Sequence, residues 1–262
     1  MRKLVVLIIV FFSVKSFAID ASPQLLPAGV VFPEFVSAVA VDPAALPYQQ
    51  GSVLQFGYSP PIFVQTTSAY EAGYAYSSGA WGVGVNFDGT QSFSGVASTA
   101  TAGGGVRVGD VGLGVMMTSP IATTGLSPAF DTSIQIGSGE NIQFGGVFYG
   151  FPSTGNLNIS SMAFGLGHRV DGKYSLEGGV QMPFFTNLFS AGSAVTPYMA
   201  GAVFAGEFGA SFSVAYAATT NTFQLEEFGV LWAASHFVNL SLLWLGAGTV
   251  ASSFTAGLAL FL

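Results

Sequence analysis

The sequence predicts an all-β protein, namely a transmembrane antiparallel β-barrel of about 14 strands preceded by a separate N-terminal segment. Half of the residues are hydrophobic and only 7% are charged, whereas soluble domains carry roughly 25% charged residues. Beyond residue 18, however, no uninterrupted apolar run reaches the roughly 18 residues that a membrane-spanning helix requires. Apolar residues instead alternate with small or polar ones, as in strands with one face in lipid and the other in a lumen.

Residues 1–18 have the features of a secretory signal peptide. Arg2 and Lys3 form a basic start, residues 4–12 form an apolar core too short to span a bilayer, and residues 16–18 (Ser-Phe-Ala) form a small-x-small cleavage site. We therefore expect export from the cytoplasm and a mature chain that begins at Ile19. Because the sequence contains no cysteine, we expect no lipid-anchored start, no disulfide and no thiolate metal site.

Cations are scarce in the expected mature chain. Cleavage of the signal peptide leaves Arg107, Arg169 and Lys173 as the only lysine or arginine residues against thirteen acidic residues. Binding to nucleic acid depends on neutralising phosphates, so this class of function is excluded. Three cations also cannot build the opposed acidic and basic lumen faces expected of a diffusion porin, which makes a porin the least favoured kind of barrel.

Residues 19–50 differ in composition from the rest of the chain. Prolines at positions 23, 27, 33, 43 and 47 prevent this segment from forming a central strand, and we predict an irregular segment with one short helix around Glu34–Val41. Its apolar residues need burial, and the barrel interior is the nearest place for them. We interpret the segment as a hatch or plug, with a short cap under the barrel as the alternative.

Period-two alternation predicts the strands of a barrel that extends from residue 51 to residue 262. In the third strand, for example, Trp81, Val83 and Val85 alternate with two glycines and an asparagine, so the apolar set must face lipid. In chain order, the pattern predicts strands at about 53–58, 70–77, 81–88, 104–108, 111–117, 129–137, 142–150, 157–166, 174–182, 198–205, 208–216, 228–234, 240–244 and 254–262. The parity of the apolar residues changes between Ile159 and Met162, which predicts a bulge near Ser160 and Ser161.

The connections between these strands support an even count. If both termini lie in the periplasm, every second connection should be short. Short connections are found at residues 77–79, 108–110, 138–141, 170–173, 205–207 and 236–239. The count is therefore fourteen, and twelve remains possible if residues 129–150 do not form two strands.

The last strand, Phe254 to Leu262, must close the barrel because so apolar an edge cannot be left unpaired. This ending resembles the assembly signal of bacterial outer-membrane barrels, in which a polar residue and a glycine precede two alternate hydrophobic residues. Thr255, Gly257, Leu260 and Leu262 occupy those places. The resemblance implies insertion by the barrel-assembly machinery. The usual terminal phenylalanine is displaced by one position, to Phe261.

Among the polar residues predicted to face the lumen, four are candidate contacts: Glu71, Arg107, Glu177 and Gln181. Charged groups inside a barrel are costly unless they are paired or wet. We interpret these side chains as contacts for the hatch or for a substrate's head group. Ion pairing within the lumen without any ligand is the structural alternative.

Neither catalysis nor metal binding is indicated. The two histidines, His168 and His236, lie next to predicted turns, and Ser235 and His236 are adjacent strand residues whose side chains point to opposite faces. No cluster of His, Asp and Glu recurs at ligand spacing. We therefore predict that the protein is not an enzyme, and we expect no cofactor and no metal site.

Asp42, Pro43 and Ala44 resemble the Asn-Pro-Ala motif in the N-terminal hatch of the FadL family of outer-membrane transporters, with Asp in place of Asn. The resemblance implies a barrel of 14 strands in the bacterial outer membrane, surrounded by its lipid, that takes up hydrophobic small molecules passively. At 262 residues, with short predicted outer loops, the chain is small for that family. A structural or surface-interaction barrel without a substrate is therefore the alternative, ahead of a diffusion porin.

Overall fold

The structure is a computed structural model. It describes residues 30–33, 37–60, 68–92, 95–121, 128–137, 141–152, 161–170, 173–183, 195–217, 222–245 and 253–262. Within these residues, no helix is long and apolar enough to cross a membrane.

Fourteen antiparallel strands form one closed barrel, which confirms the predicted fold class and strand count. The strands are β1 (Gln50–Ser59), β2 (Ser68–Ser78), β3 (Trp81–Ser92), β4 (Gly95–Val108), β5 (Val111–Pro120), β6 (Ala129–Gly137), β7 (Asn141–Pro152), β8 (Ser161–Val170), β9 (Tyr174–Pro183), β10 (Thr196–Ala205), β11 (Phe208–Ala217), β12 (Thr222–Ser235), β13 (Val238–Leu245) and β14 (Ser253–Phe261). Each strand pairs with its neighbours in sequence, and β1 pairs with β14.

The two ends of the barrel differ in the length of their strand connections. At one end, here called the turn end, every connection between consecutive strands is two or three residues long, as at 79–80, 109–110 and 206–207. At the other end, here called the loop end, the connections are longer, except between β3 and β4. Strand β1 begins at the turn end and β14 ends there. This is the arrangement that the alternation of short and long connections predicts.

The last strand closes the barrel in the register that the sequence pattern requires. Val53 faces Phe261 and Tyr58 faces Ala256 across the β1–β14 pair, and the Leu262 amide donates to the Ser52 carbonyl at 2.9 Å. The ladder therefore has no unpaired edge strand, as a barrel in lipid requires.

Alternation along the strands separates an apolar outer face from a mixed inner face. In β3, Trp81, Val83 and Val85 are exposed on the outside, whereas Gly82 and Asn86 are buried on the inside. The same division holds in β5, where four exposed apolar residues (Val111, Leu113, Val115 and Met117) lie on the outer face. The outer surface is thus apolar, as expected for a barrel whose outer face contacts the hydrocarbon chains of lipid.

Bulges interrupt the ladder in β7 and β12. Phe130 faces Phe151 but Thr132 faces Phe148, so Asp131 lies opposite two residues of β7, where Gly150 has a positive φ of 81°. A second register shift lies opposite Ser213 and Val214 in β12. The bulge predicted near Ser160 and Ser161 falls mostly outside the described residues.

Part of the N-terminal region lies inside the barrel. This luminal segment comprises residues 30–33 and 37–49 and contains helix α1 (Ser37–Val41) and a 3₁₀ helix (Pro43–Tyr48). Helix α1 overlaps the helix predicted around 34–41, of which residues 34–36 are not described. The two helices of the segment pack against the inner faces of β2 to β6, whereas residues 30–33 also contact strands from β7 to β10.

Two apolar clusters join the luminal segment to the wall. One unites Val39 and Leu46 with Val53, Ala75 and Phe261 from the wall, together with Ala38 and Ala45. The other unites Val30, Val31 and Phe32, together with Val41, with five wall residues (Met116, Val147, Tyr149, Ala163 and Tyr198). Burial of these side chains, at about 25 cal/mol per Å² of apolar surface, holds the segment against the wall.

Glycines on the inner wall allow the segment's backbone to approach closely. A Cβ at Gly105 would collide with the carbonyl oxygen of Pro43, and a Cβ at Gly112 would lie 2.6 Å from the carbonyl oxygen of Ala44. Since these contacts involve backbone atoms, no side-chain rotation can relieve them.

Gly105→Ala is expected to displace the luminal segment while leaving the ladder intact, at a cost of about 1–3 kcal/mol for overpacking. Because the native chain has no thiol, Ala38→Cys in the buried helix α1 offers a unique site for maleimide labelling. Gly105→Ala should accelerate labelling there. Heat-modifiable mobility on gels reports whether the barrel is closed.

Gly178→Ala is the matched control, because its Cβ would meet no atom closer than 3.8 Å. Equal labelling rates in the two variants would show that the segment does not depend on the close approach at Gly105.

Candidate functional site

Gln135 on β6 binds the luminal segment with a single amide group. Its Nε2 donates to the carbonyl oxygens of Val30 and Val31 at 2.8 and 3.1 Å, and to Oδ2 of Asp42 at 2.7 Å. The side chain is fully buried. One wall residue therefore joins two stretches of the segment that are eleven residues apart in sequence.

Glu177 on β9 also binds the stretch of the segment that begins at Val30. Its Oε2 accepts hydrogen bonds from the amides of Val31 and Phe32 at 3.2 and 2.9 Å, and the residue is 2% exposed. The carboxylate thus acts as an acceptor for two consecutive backbone amides of the segment.

Asp42 caps the 3₁₀ helix and is completely buried. Its Oδ1 accepts from the Ala44 amide at 3.0 Å, and that same amide also donates to Oγ of Ser133 on β6. Pro43 occupies the first helical position, where its missing N–H removes no hydrogen bond. Burial raises the pKa of Asp42 to about 7. The three residues of the predicted motif therefore lie at the point where the segment meets the wall.

Arg107 packs against the segment at the turn end. Its guanidinium lies 4.3 Å from the centre of the Tyr48 ring, and its Nε donates to the carbonyl oxygen of Gly109 at 2.8 Å. The Tyr48 hydroxyl donates to the carbonyl oxygen of Asp110 at 2.9 Å. Arg107 thus makes a cation–π contact with the last residue of the 3₁₀ helix.

The four predicted lumen residues fall into two groups. Arg107 and Glu177 contact the luminal segment. Glu71 and Gln181 lie nearer the loop ends of β2 and β9, away from the hydrogen bonds that hold the described part of the segment. Gln135 was absent from the predicted set, although its alternation with Ile134 and Ile136 could have marked it as lumen-facing.

A cavity of about 430 Å³ lies in the lumen towards the loop end, beyond the luminal segment. Its lining includes Ser59, Glu71, Asp88, Thr90, Thr99 and Thr255. Glu71 and Asp88 face each other in the β2–β3 register. Nδ2 of Asn86 donates to both carboxylate oxygens of Asp88, at 3.2 and 3.0 Å.

The inner faces of β10 to β13 form a second region of the lumen, and it is mostly small or apolar. Ala202 and Leu231 pack together there with Phe204 and Ala233, and Leu243 is buried on β13. The described helices of the luminal segment pack against β2 to β6 instead. Three buried polar residues share these inner faces, namely Ser211, Ser213 and Asn239. A wall of mostly small and apolar residues, with a few buried polar groups, therefore lies beside the seated segment.

No group of three or more His, Cys, Asp or Glu residues that could hold a metal occurs in the ranges that the structure describes. His236 is exposed in the turn between β12 and β13, and the ring of His168 lies 5.7 Å from that of Tyr174. The assembly-signal residues divide between the faces of β14, since the alternation turns Thr255 and Gly257 inward and Leu260 and Leu262 outward.

Comparisons with known proteins identify similarity in fold. No family model and no curated protein matches this chain. The toluene transporter TodX of Pseudomonas putida aligns with a TM-score of 0.62 and 10% identity, over 93% of this chain and 97% of TodX. The CymD monoaromatic hydrocarbon channel aligns with a TM-score of 0.58 and 12% identity, over 88% and 93% of the two chains. Both are FadL-type barrels. The fold is therefore that of an outer-membrane barrel, and these neighbours are a transporter and a channel.

Gln135→Leu is expected to loosen the luminal segment. The change leaves the carbonyls of Val30 and Val31 and one oxygen of Asp42 without their donor, and each buried acceptor left unsatisfied costs about 1–3 kcal/mol. Labelling of Ala38→Cys should accelerate markedly. The same change at Gln181, which is exposed in the lumen, should leave labelling unchanged, and equal effects at both positions would contradict this role of Gln135.

Seating of the segment should weaken as the pH rises from about 4 to about 7. The pKa of Asp42 is raised from its ordinary value of 3.8 to about 7 by burial, so the seated segment holds the proton that the displaced segment releases. Seating is thus strongest below pH 4 and weakest above pH 7. Asp42→Asn removes this ionisable group and should remove its share of the pH dependence, while any share of the buried Glu177 carboxyl remains.

The measurement compares labelling of Ala38→Cys at each pH in two proteins, one that retains Asp42 and one that also carries Asp42→Asn. Because the reactivity of the thiol changes equally in both, the ratio of the two rates isolates the contribution of Asp42. A ratio that is constant from pH 4 to pH 8 would show that the carboxyl does not titrate in this range.

Proposed function

We propose that the protein is a bacterial outer-membrane channel for the passive uptake of hydrophobic small molecules. Residues 1–18 serve as the signal peptide, residues 19–50 as the hatch and residues 51–262 as the barrel. The turn end faces the periplasm, the apolar outer face contacts membrane lipid, and the barrel-assembly machinery recognises the C-terminal strand.

The observation that carries this proposal is the seating of the luminal segment beside a wall that presents apolar side chains to the lumen. Gln135 and Glu177 fix the segment through its backbone, and Ala202, Leu231 and Leu243 on β10 to β13 lie buried along the lumen. A plugged lumen restricts the flow of water and ions, while an apolar wall favours molecules that water excludes.

The likeness in fold to the toluene transporter TodX and the CymD monoaromatic hydrocarbon channel supports the same class of function. In the proposed route, a molecule enters the loop-end cavity and follows the inner faces of β10 to β13 past the hatch. Arg107 and Glu177 then serve as hatch contacts, whereas Glu71 and Gln181 lie on the approach to it.

Uptake by intact Gram-negative cells tests the proposal. Cells with and without the protein are given a labelled aromatic hydrocarbon and a labelled hydrophilic solute of similar size. We expect a selective gain for the hydrocarbon. An equal gain for both would indicate a water-filled porin, and no gain for either would favour a structural barrel.

A variant that keeps residues 1–18 but lacks residues 19–49 tests the hatch, and it leaves β1 intact from Gln50 onward. Without the segment the lumen is open to water, so the hydrophilic solute should enter. The ratio of hydrocarbon uptake to hydrophilic solute uptake should therefore fall towards one. Gel mobility reports that the barrel has folded. Unchanged uptake of both compounds by the folded variant would exclude a role for the segment as hatch.

A further inference from the structure

All positive charge of the barrel lies at its turn end. Arg107 is the last residue but one of β4, Arg169 is the last but one of β8, and Lys173 directly precedes β9. The sequence contains no other lysine or arginine beyond residue 15. The loop-end half of the barrel, with all of its connections, therefore carries no lysine or arginine.

Carboxylates, in contrast, face the lumen in the loop-end half. Glu71 is the fourth residue of β2 from the loop end, Asp88 lies directly opposite it on β3, and Asp131 is the third residue of β6 from the same end. Glu71 and Asp88 both line the 430 Å³ cavity. Facing carboxylates repel each other, so a cation or a hydrogen-bond donor between them is favoured and a further anion is opposed.

Asn86, next to this pair, adds an acceptor that has no donor. The residue is 4% exposed, and its Nδ2 donates to both oxygens of Asp88. Its Oδ1 has no hydrogen-bond partner among the described residues. The amide beside the carboxylates is thus already used as a donor to Asp88, and its Oδ1 is buried away from the cavity. The charge that faces the cavity is therefore that of the two carboxylates.

We propose that Glu71 and Asp88 make the loop-end cavity a selectivity site that admits neutral and cationic apolar molecules and excludes those that carry a carboxylate. This inference rests on the proposed uptake function and narrows its substrate class. Hydrocarbons, alcohols and amines would pass, whereas fatty acids and aromatic acids would be rejected. The charge in the cavity makes this distinction, and the size of the cavity does not. For two molecules of the same shape, the carboxylates repel the one that carries a negative charge and do not repel the neutral one.

Three labelled compounds with the same ring test the inference: benzyl alcohol, benzylamine and benzoate. Uptake is measured in intact cells with and without the protein, and the gain that depends on the protein is compared. With the wild-type protein at low ionic strength, the protein-dependent increase in uptake should be about tenfold smaller for benzoate than for benzyl alcohol. Benzylamine should gain at least as much as benzyl alcohol.

In the E71Q/D88N variant, the ratio of protein-dependent benzoate uptake to protein-dependent benzyl alcohol uptake should rise towards one. Glu207→Gln is the matched control, because Glu207 is an exposed acid in the turn between β10 and β11 at the other end; its ratio should equal that of the wild type. A ratio that E71Q/D88N leaves unchanged would overturn the assignment to this pair.

Salt dependence of the wild-type protein provides a readout that needs no variant. Added salt screens charge, so the deficit of benzoate should shrink as the ionic strength rises. Equal gains of benzoate and benzyl alcohol at low salt would overturn the inference while leaving the uptake function intact. No gain for any of the three compounds would instead refute the uptake function, and the inference with it.

Discussion

Pairing of β14 with β1 is the constraint on which the rest of the structure depends. In hydrocarbon every backbone N–H and C=O must find a partner within the protein, and an open sheet would leave two edges unsatisfied. The ladder from Val53 and Phe261 to Tyr58 and Ala256 removes both edges. Closure with fourteen strands also encloses a lumen too wide to be filled by the wall's own side chains. The protein must therefore either admit water or bring a separate segment inside.

The luminal segment meets this requirement with few polar groups. An irregular chain inside a barrel exposes backbone donors and acceptors that its own 3₁₀ helix cannot satisfy. Gln135 supplies donors to two carbonyls, and Glu177 supplies an acceptor to two amides. Around these bonds the wall is glycine-rich, so that the segment's backbone approaches that of the strands. Apolar clusters on either side supply the burial, and the polar residues fix the position.

Most of the fold could be predicted from the sequence because, in a barrel strand, apolar lipid-facing residues alternate with small or polar lumen-facing residues. The clear pattern of Trp81, Val83 and Val85 predicted both the strand and its orientation, and the same parity turned Arg107 and Glu177 inward. The bulge in β7 could not be placed, since it depends on Asp131 facing both Tyr149 and Gly150, a pairing that no single strand reveals. The predicted parity change lay further along the chain.

The candidate site was less predictable than the fold because its contacts are between segments far apart in sequence. Gln135 and Val30 are 105 residues apart, and no local sequence pattern around either residue predicts their contact. The partner of Gly105 is likewise a backbone carbonyl of Pro43, so no side-chain pattern encodes it. Asp42, Pro43 and Ala44 could be singled out in advance only through their resemblance to a family motif, and the structure adds that Asp42 caps the 3₁₀ helix that Pro43 begins.

Phe261 shows how closure and seating are coupled. The usual terminal aromatic of an assembly signal would share a face with Leu260 and Leu262 and point outward, but the aromatic here is displaced by one residue and points inward. It is 8% exposed and packs in the same cluster as Val39 and Leu46 of the segment. Its amide also bonds to the Phe237 carbonyl at the turn end. The strand that completes the barrel therefore also forms part of the surface on which the segment rests, so the segment can reach its full set of contacts only after the barrel has closed.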